Sequence, residues 1–159
     1  MLESSQKSSQ RSPLLKYATR LLSSRPYFRS QLHAKLSLRA QTLSFEDASS
    51  VIEAILEDLS CSGYLDDQYL AQAYVRRQLS KGYGPKVIAF KLKYLGLAPE
   101  ITAAAIQSEA SQEAELLSLK RYCRKFPRLE RQKLISKLYY RGYLGSSIKK
   151  AFDGDWLAD

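Results

Sequence analysis

Asparagine is absent from this 159-residue chain, histidine occurs once, cysteine twice, and valine and isoleucine together only ten times. Each scarcity excludes something. With so few β-branched residues against 25 Leu and 16 Ala, little is left to build strands from. No segment sustains period-2 alternation, so the chain is expected to be all-α. Cys61 and Cys123 lack the Cys and His neighbours that zinc needs. They also make a poor secreted disulfide framework, and two reduced thiols suit a cytosolic protein better. No apolar run is long enough to span a membrane, and Met1-Leu2-Glu3-Ser4-Ser5-Gln6 does not read as a signal peptide. A cytoplasmic protein without a membrane partner is expected.

Catalytic signatures are equally sparse. The single histidine, His33, falls beside the apolar face of an amphipathic helix and reads as structural or solvent-facing. There is no phosphate-binding G-x-x-x-x-G-K-[ST] loop. Gly82-x-Gly84 lacks the preceding strand and third glycine of a dinucleotide site. Asp66-Asp67 invites a metal-site reading, but a helix N-cap with favourable dipole placement accounts for either residue at less cost. The expectation is a protein with no enzymatic activity, no metal and no cofactor.

What is present is repetition. Leu32-x-x-Lys35-Leu36, Ile88-x-x-Lys91-Leu92 and Leu134-x-x-Lys137-Leu138 share one pattern. In the last two, Gly96 and Gly142 follow the Leu by four residues, and Ile106 and Phe152 follow by fourteen. Recurrence of this kind signals copies of one supersecondary unit, which must pack on one another to bury a core. The expected architecture is three tandem three-helix repeats at 14–61, 62–110 and 111–153, forming an elongated, curved solenoid. A disordered tail is expected over 1–13 and a C-terminal tail over 154–159.

Local signals mark the helices. Arg25-Pro26 stops the first, and Ser30 is a candidate N-cap for the second. After a polar link longer than in the other copies, Val51, Ile52, Ile55, Leu56 and Leu59 define a third apolar face. In the second copy Gly82 fits a left-handed C-terminal cap and Pro85 a first helical position, with Ile88, Leu92 and Leu95 inward. Pro99 opens the sixth helix. In the third copy Leu116, Leu119, Cys123 and Phe126 share a face, as do Leu134, Ile135, Leu138 and Tyr139. Ser146 or Ser147 can cap the last helix.

Charge separates the copies. Residues 1–75 carry eight basic and eight acidic side chains, whereas 76–150 carry 17 and 5. No Lys or Arg occurs between Arg39 and Arg76, where Glu46, Asp47, Glu53, Glu57, Asp58, Asp66 and Asp67 fall. This acidic segment either faces a basic partner or is simply solvated. The candidate binding residues are Arg76, Arg77, Lys81, Lys86, Lys91, Lys93, Arg121, Arg124, Lys125, Arg128, Lys133, Lys137 and Arg141, with Lys120 and Arg131 nearby. Such density on repeated helix faces attracts a phosphate backbone through counterion release, without base readout. Tyr64, Tyr83, Tyr94, Tyr139, Tyr140 and Tyr143 are interleaved and can stack on bases, although packing is the commoner fate of any one tyrosine. A helix-turn-helix reading of 86–106 is discounted because the same shape recurs in the third copy.

Gly63-Tyr64-Leu65-Asp66-Asp67, Arg76, Lys81-Gly82-Tyr83-Gly84-Pro85, Leu92 and Gly96 together resemble the signature of the RecX family. Arg25, Ser30, Leu32, Lys35 and Leu36 in the first copy match it too, as does the run from Leu138 to Leu144 in the third. The resemblance spans about 14–153, with Gln31 standing where the family often has an acid. It implies a monomeric, helical, non-catalytic bacterial regulator of DNA repair and recombination, linked to the SOS response. Such a regulator docks along RecA–single-stranded-DNA filaments and mainly inhibits them, limiting extension, ATPase and co-protease activity. The alternative is a general nucleic-acid-binding helical repeat protein without a recombinase partner, and a third class is a scaffold for another acidic protein.

Overall fold

The computed structural model of the protein describes the backbone of residues 2–153 and the side chains of 9–153. The C-terminal tail expected at 154–159 lies outside the described residues. Among those described there are nine helices and no strand: α1 (Leu2–Ser24), α2 (Arg29–Thr42), α3 (Ser49–Cys61), α4 (Asp67–Ser80), α5 (Pro85–Tyr94), α6 (Pro99–Glu109), α7 (Gln112–Cys123), α8 (Arg131–Tyr140) and α9 (Gly145–Asp153). The all-α expectation holds. The chain forms two compact units that divide between Leu70 and Ala71, inside α4.

In the first unit α1, α2 and α3 pack on one another around Leu14, Ala18, Leu32, Leu36, Ile52, Ile55 and Leu56. Leu14, Leu32, Leu36, Ile55 and Leu56 are wholly excluded from solvent, and each such side chain stabilises the fold by about 1.5–3 kcal/mol. The helix α1 departs from expectation. It starts at Leu2 and runs through Pro13, so the segment 1–13 is not a disordered tail over the residues described. Tertiary contacts replace apolar periodicity there: Gln10 Nε2 donates to the Glu46 carbonyl at 3.3 Å, and Arg11 pairs with Asp58.

Ser30 is not the N-cap of α2. Phe28 holds that position in extended backbone, with Ser30 two residues inside the helix. The orphan amides at this end find other acceptors. Phe28 N donates to Gln31 Oε1 at 3.4 Å, and Arg29 N donates to Asp67 Oδ1 at 2.8 Å. Gln31 thus makes the reach back to the cap that an acid would make at the third helical position. Asp66 caps α4, accepting from Tyr69 N at 2.8 Å. The adjacent acids therefore close two different helices, as the N-cap reading anticipated for one of them.

The long link turns at Ser44 and Asp47, both at positive φ, and drops Phe45 and Ala48 onto the core. Much of the acidic segment is internally paired. Arg29 reaches Glu53 at 2.9 Å, Glu57 at 3.4 Å and Ser60 Oγ at 3.2 Å, and His33 Nε2 lies 3.4 Å from Glu53. Glu53, Glu57 and Asp58 remain 55%, 66% and 61% exposed within these pairs, so they are solvated surface ion pairs.

In the second unit α4 ends as its sequence directs. Gly82 takes φ +81°, its amide bonds the Leu79 carbonyl, and Tyr83 N bonds the Gln78 carbonyl at 3.1 Å. Pro85 and Pro99 each occupy a first helical position. Gly96, at φ +79°, lets Leu97 fold back over the end of α5 and become buried. Leu92 and Leu138 are fully buried like Leu36, so the recurring Leu is a core position in all three copies.

The turn before α5 and the turn after α8 meet backbone to backbone. Gly84 N donates to the Arg141 carbonyl at 2.8 Å, and Lys86 N donates to the Gly142 carbonyl at 3.1 Å. Around this junction Ser118 Oγ bonds the Leu79 carbonyl and lies 2.8 Å from the Tyr143 hydroxyl. Burial pushes the Tyr143 phenol up to about 12. Glu115, 1% exposed, accepts from Leu144 N at 2.7 Å and Ser147 Oγ at 2.6 Å. The start of α9 is therefore closed by a carboxylate from α7, and neither Ser146 nor Ser147 is the cap. Tyr139, expected inward, is 55% exposed because only Leu134, Leu138 and part of Ile135 face the core.

Candidate nucleic-acid interface

The basic side chains of the second unit owe their positions to what the apolar faces leave outside. On α4, burial of Ala71, Val75 and Leu79 turns Arg76 and Arg77 outward. Arg76 pairs with Glu109 at 2.8 Å, and Arg77 stands over the Tyr74 ring at 5.5 Å. Arg76 also shares a shallow groove with Ser80, Glu109 and Arg121, so the repeat packing does bring a cation of α4 beside one of α7. Burial pushes the Tyr74 phenol up, against the opposing pull of the Arg77 charge.

A second cluster gathers at the junction. The Lys91 ammonium lies 3.3 Å from the Tyr83 ring centroid and 3.2 Å from Gln78 Oε1. On the same ring stands the Arg141 guanidinium, 4.7 Å away, which also lies 4.8 Å from the Tyr122 ring. Cation–π contacts of this kind are worth about 0.5–2 kcal/mol and hold a side chain in one orientation. The third repeated lysine, Lys137, lies 4.9 Å from the Phe126 ring. In both basic copies, then, the patterned Lys lies over an aromatic ring from the turn preceding its helix.

The remaining candidates are exposed. Lys81 and Lys86 flank the α4–α5 turn, Lys93 closes α5, and Arg124, Lys125 and Arg128 occupy the end of α7 and the turn after it. Lys133 pairs with Glu130 at 3.4 Å. Among the described residues no carboxylate is paired with Lys81, Lys86, Lys93, Arg121, Lys125 or Arg128. Exposed charges of one sign retain their attraction for a polyanion at modest salt.

The tyrosines divide. Tyr64, Tyr94, Tyr139 and Tyr140 are 69%, 85%, 55% and 88% exposed, Tyr83 is half-buried under its two cations, and Tyr143 is fully buried in the core. Tyr143 is therefore no stacking residue. Its hydroxyl is spent on Ser118, and its ring packs against the core of the third copy. The sequence reading passed over Phe90, which is 70% exposed on the outer face of α5, one turn before Tyr94. Its signal was legible: an i, i+4 aromatic pair set opposite the Ile88–Leu92 face.

His33 is engaged with Glu53, Cys123 is buried with its thiol pushed up to about 11, and the described residues hold no cluster of three His, Cys, Asp or Glu placed for a metal. None of the helices of the described residues is long and apolar enough to cross a membrane.

Comparison with known proteins places this architecture. The family model described as "RecX, second three-helix domain" matches residues 66–106. The regulatory protein RecX of Thermus thermophilus is 38% identical over 111 residues, covering 70% of this chain and 72% of the relative. That of Stenotrophomonas maltophilia is 32% identical over 136 residues, covering 82% and 80%. The crystal structure of RecX from Lactobacillus salivarius shares the fold with a TM-score of 0.80 at 19% identity, over 95% of this chain and 98% of that one. With the family model matched and a relative 38% identical over 70% of the chain, the chain belongs to the RecX family of regulatory proteins.

Proposed function

We propose that this protein modulates, and mainly inhibits, the RecA recombinase in the cytoplasm by binding RecA–single-stranded-DNA filaments. It limits their extension, ATPase and co-protease activity, and so regulates DNA repair and recombination. The repeats at 14–61, 62–110 and 111–153 act as a monomeric binding scaffold with no catalytic residue of their own. One observation carries the reading: a chain of a regulatory family sets 17 basic against 5 acidic side chains over 76–150, while Glu53, Glu57 and Asp58 of the first unit pair with its own Arg29 and Arg11. The filament offers both DNA phosphates and protein carboxylates to such a surface. Arg76, Arg77, Lys81, Lys86, Lys91, Lys93, Arg121, Arg124, Lys125, Arg128, Lys133, Lys137 and Arg141 are the residues proposed to meet it.

The test is a charge reversal on α7 and the turn after it. Replacing Arg121, Arg124 and Lys125 by Glu leaves the buried face of α7 untouched, because Leu116, Leu119 and Cys123 lie on the other side. Filament ATP hydrolysis should escape inhibition while helicity and melting stay near wild type. Full inhibition by the folded variant would remove the proposal.

A further inference from the structure

The outer face of α5 and the neighbouring end of α4 enclose an open groove of about 520 Å³, within the ~300–1,000 Å³ range of small-ligand sites. Its walls are Tyr74, Tyr83, Phe90 and Tyr94, and both its cations, Lys81 and Lys91, come from the same surface. Phe90 and Tyr94 are 70% and 85% exposed, yet they stand one helical turn apart on one face. A single exposed aromatic needs no explanation, whereas an exposed aromatic pair facing a groove marks a binding surface. Neither belongs to the buried side of α5, which Pro85, Ile88 and Leu92 form.

We infer that this groove is a stacking site for an unpaired base of single-stranded nucleic acid. Phe90 and Tyr94 supply π faces for the base, and Lys81 and Lys91 take the flanking phosphates. The charge decides the occupant. No acidic residue lines the groove, and Lys86 and Lys93 extend the positive field along α5. Lys91 is held in place from two sides, by Tyr83 and by Gln78, so little side-chain freedom is lost when a phosphate arrives. A double helix keeps its bases stacked and inaccessible, whereas an unpaired strand can lay a base on any aromatic face. The inference deepens the proposed function, in that both direct a polyanion to the second unit, but it concerns the strand alone.

The binding experiment therefore omits the recombinase, and a separate filament ATPase assay of the same proteins accompanies it. Fluorescence anisotropy compares a labelled oligodeoxythymidylate with an abasic strand of equal length, using the full chain. The wild type should prefer the base-bearing strand by roughly 5- to 150-fold for one stacked base. The double variant Phe90→Leu/Tyr94→Leu keeps apolar bulk but removes both π faces. It should bind the two strands equally, at the wild-type abasic affinity and with unchanged salt dependence. Both side chains are exposed, so an unchanged melting curve is expected and confirms the fold. Equal wild-type affinities for the two strands would overturn the inference, as would a preference that survives in the variant. A variant that keeps the preference but loses inhibition of filament ATPase would assign the groove to a protein segment, which also overturns it. Base preference in a wild type that fails to inhibit filaments would uphold the stacking site and remove the proposed function instead.

Discussion

Replacing Gly84 by Ala isolates the junction between the two turns of the second unit. Gly84 sits at φ −85°, a conformation open to any residue, so the substitution brings no backbone penalty of its own. Space is the whole issue. A methyl group there would run into the Gly142 carbonyl group and Tyr143 N, far inside contact distance, with backbone on every side and no flexible side chain to yield. The turns must separate, surrendering the bonds from Gly84 N and Lys86 N, each worth about 0.5–1.5 kcal/mol net. Disturbed packing around Tyr143 adds about 1–3 kcal/mol. A total near 3 kcal/mol should lower the melting temperature by about 6–12 °C, followed by circular dichroism. Gly63→Ala is the matched control. It has φ +75° but nothing within 4 Å, so it should cost only about 1–2 kcal/mol of left-handed strain. If Gly84→Ala melts with the wild type, the close approach does not hold the second unit together, and the reasoning fails.

Two further outcomes follow from the same region. Glu115→Ala strips both Leu144 N and Ser147 Oγ of their acceptor inside the core and should cost about 2–4 kcal/mol in urea denaturation; a loss under about 0.5 kcal/mol, less than one net hydrogen bond, would contradict the capping role. The Tyr143 phenol is held up to about 12 by burial, so its contribution is complete below pH 10 and is lost as pH rises toward about 12. Stability should fall there by up to about 1.4 kcal/mol per pH unit from this group, and Tyr143→Phe should remove that share of the fall. An identical alkaline profile in the variant would refute it.

How much of this was legible in the sequence depends on the range of the interaction. Gly82, Gly96 and Gly142 announced helix ends, and Leu36, Leu92 and Leu138 announced core positions, because capping and periodicity act within a few residues. Ser30 and Ser147 misled for the opposite reason. Their helices are closed by Asp67 and Glu115, acceptors distant in sequence, and propensity cannot see a partner on another helix. The first helix likewise extends past its apolar stripe because Arg11 and Gln10 find partners in and just before α3. For the candidate site, charge counting located the basic copies but could not separate Arg76, paired with Glu109, from unpaired Lys81. Nor could it separate buried Tyr143 from exposed Tyr94 and Tyr140, which differ in packing alone.

The central claim is that this chain acts on a recombinase filament and does not merely coat DNA. Titrating it into RecA, ATP and single-stranded DNA while following ATP hydrolysis tests that directly. Inhibition should set in well below the amount that coats the strand. Inhibition that requires coating amounts, and weakens with salt at a log–log slope of about −0.7 per phosphate contact, would contradict it and leave a general nucleic-acid-binding protein.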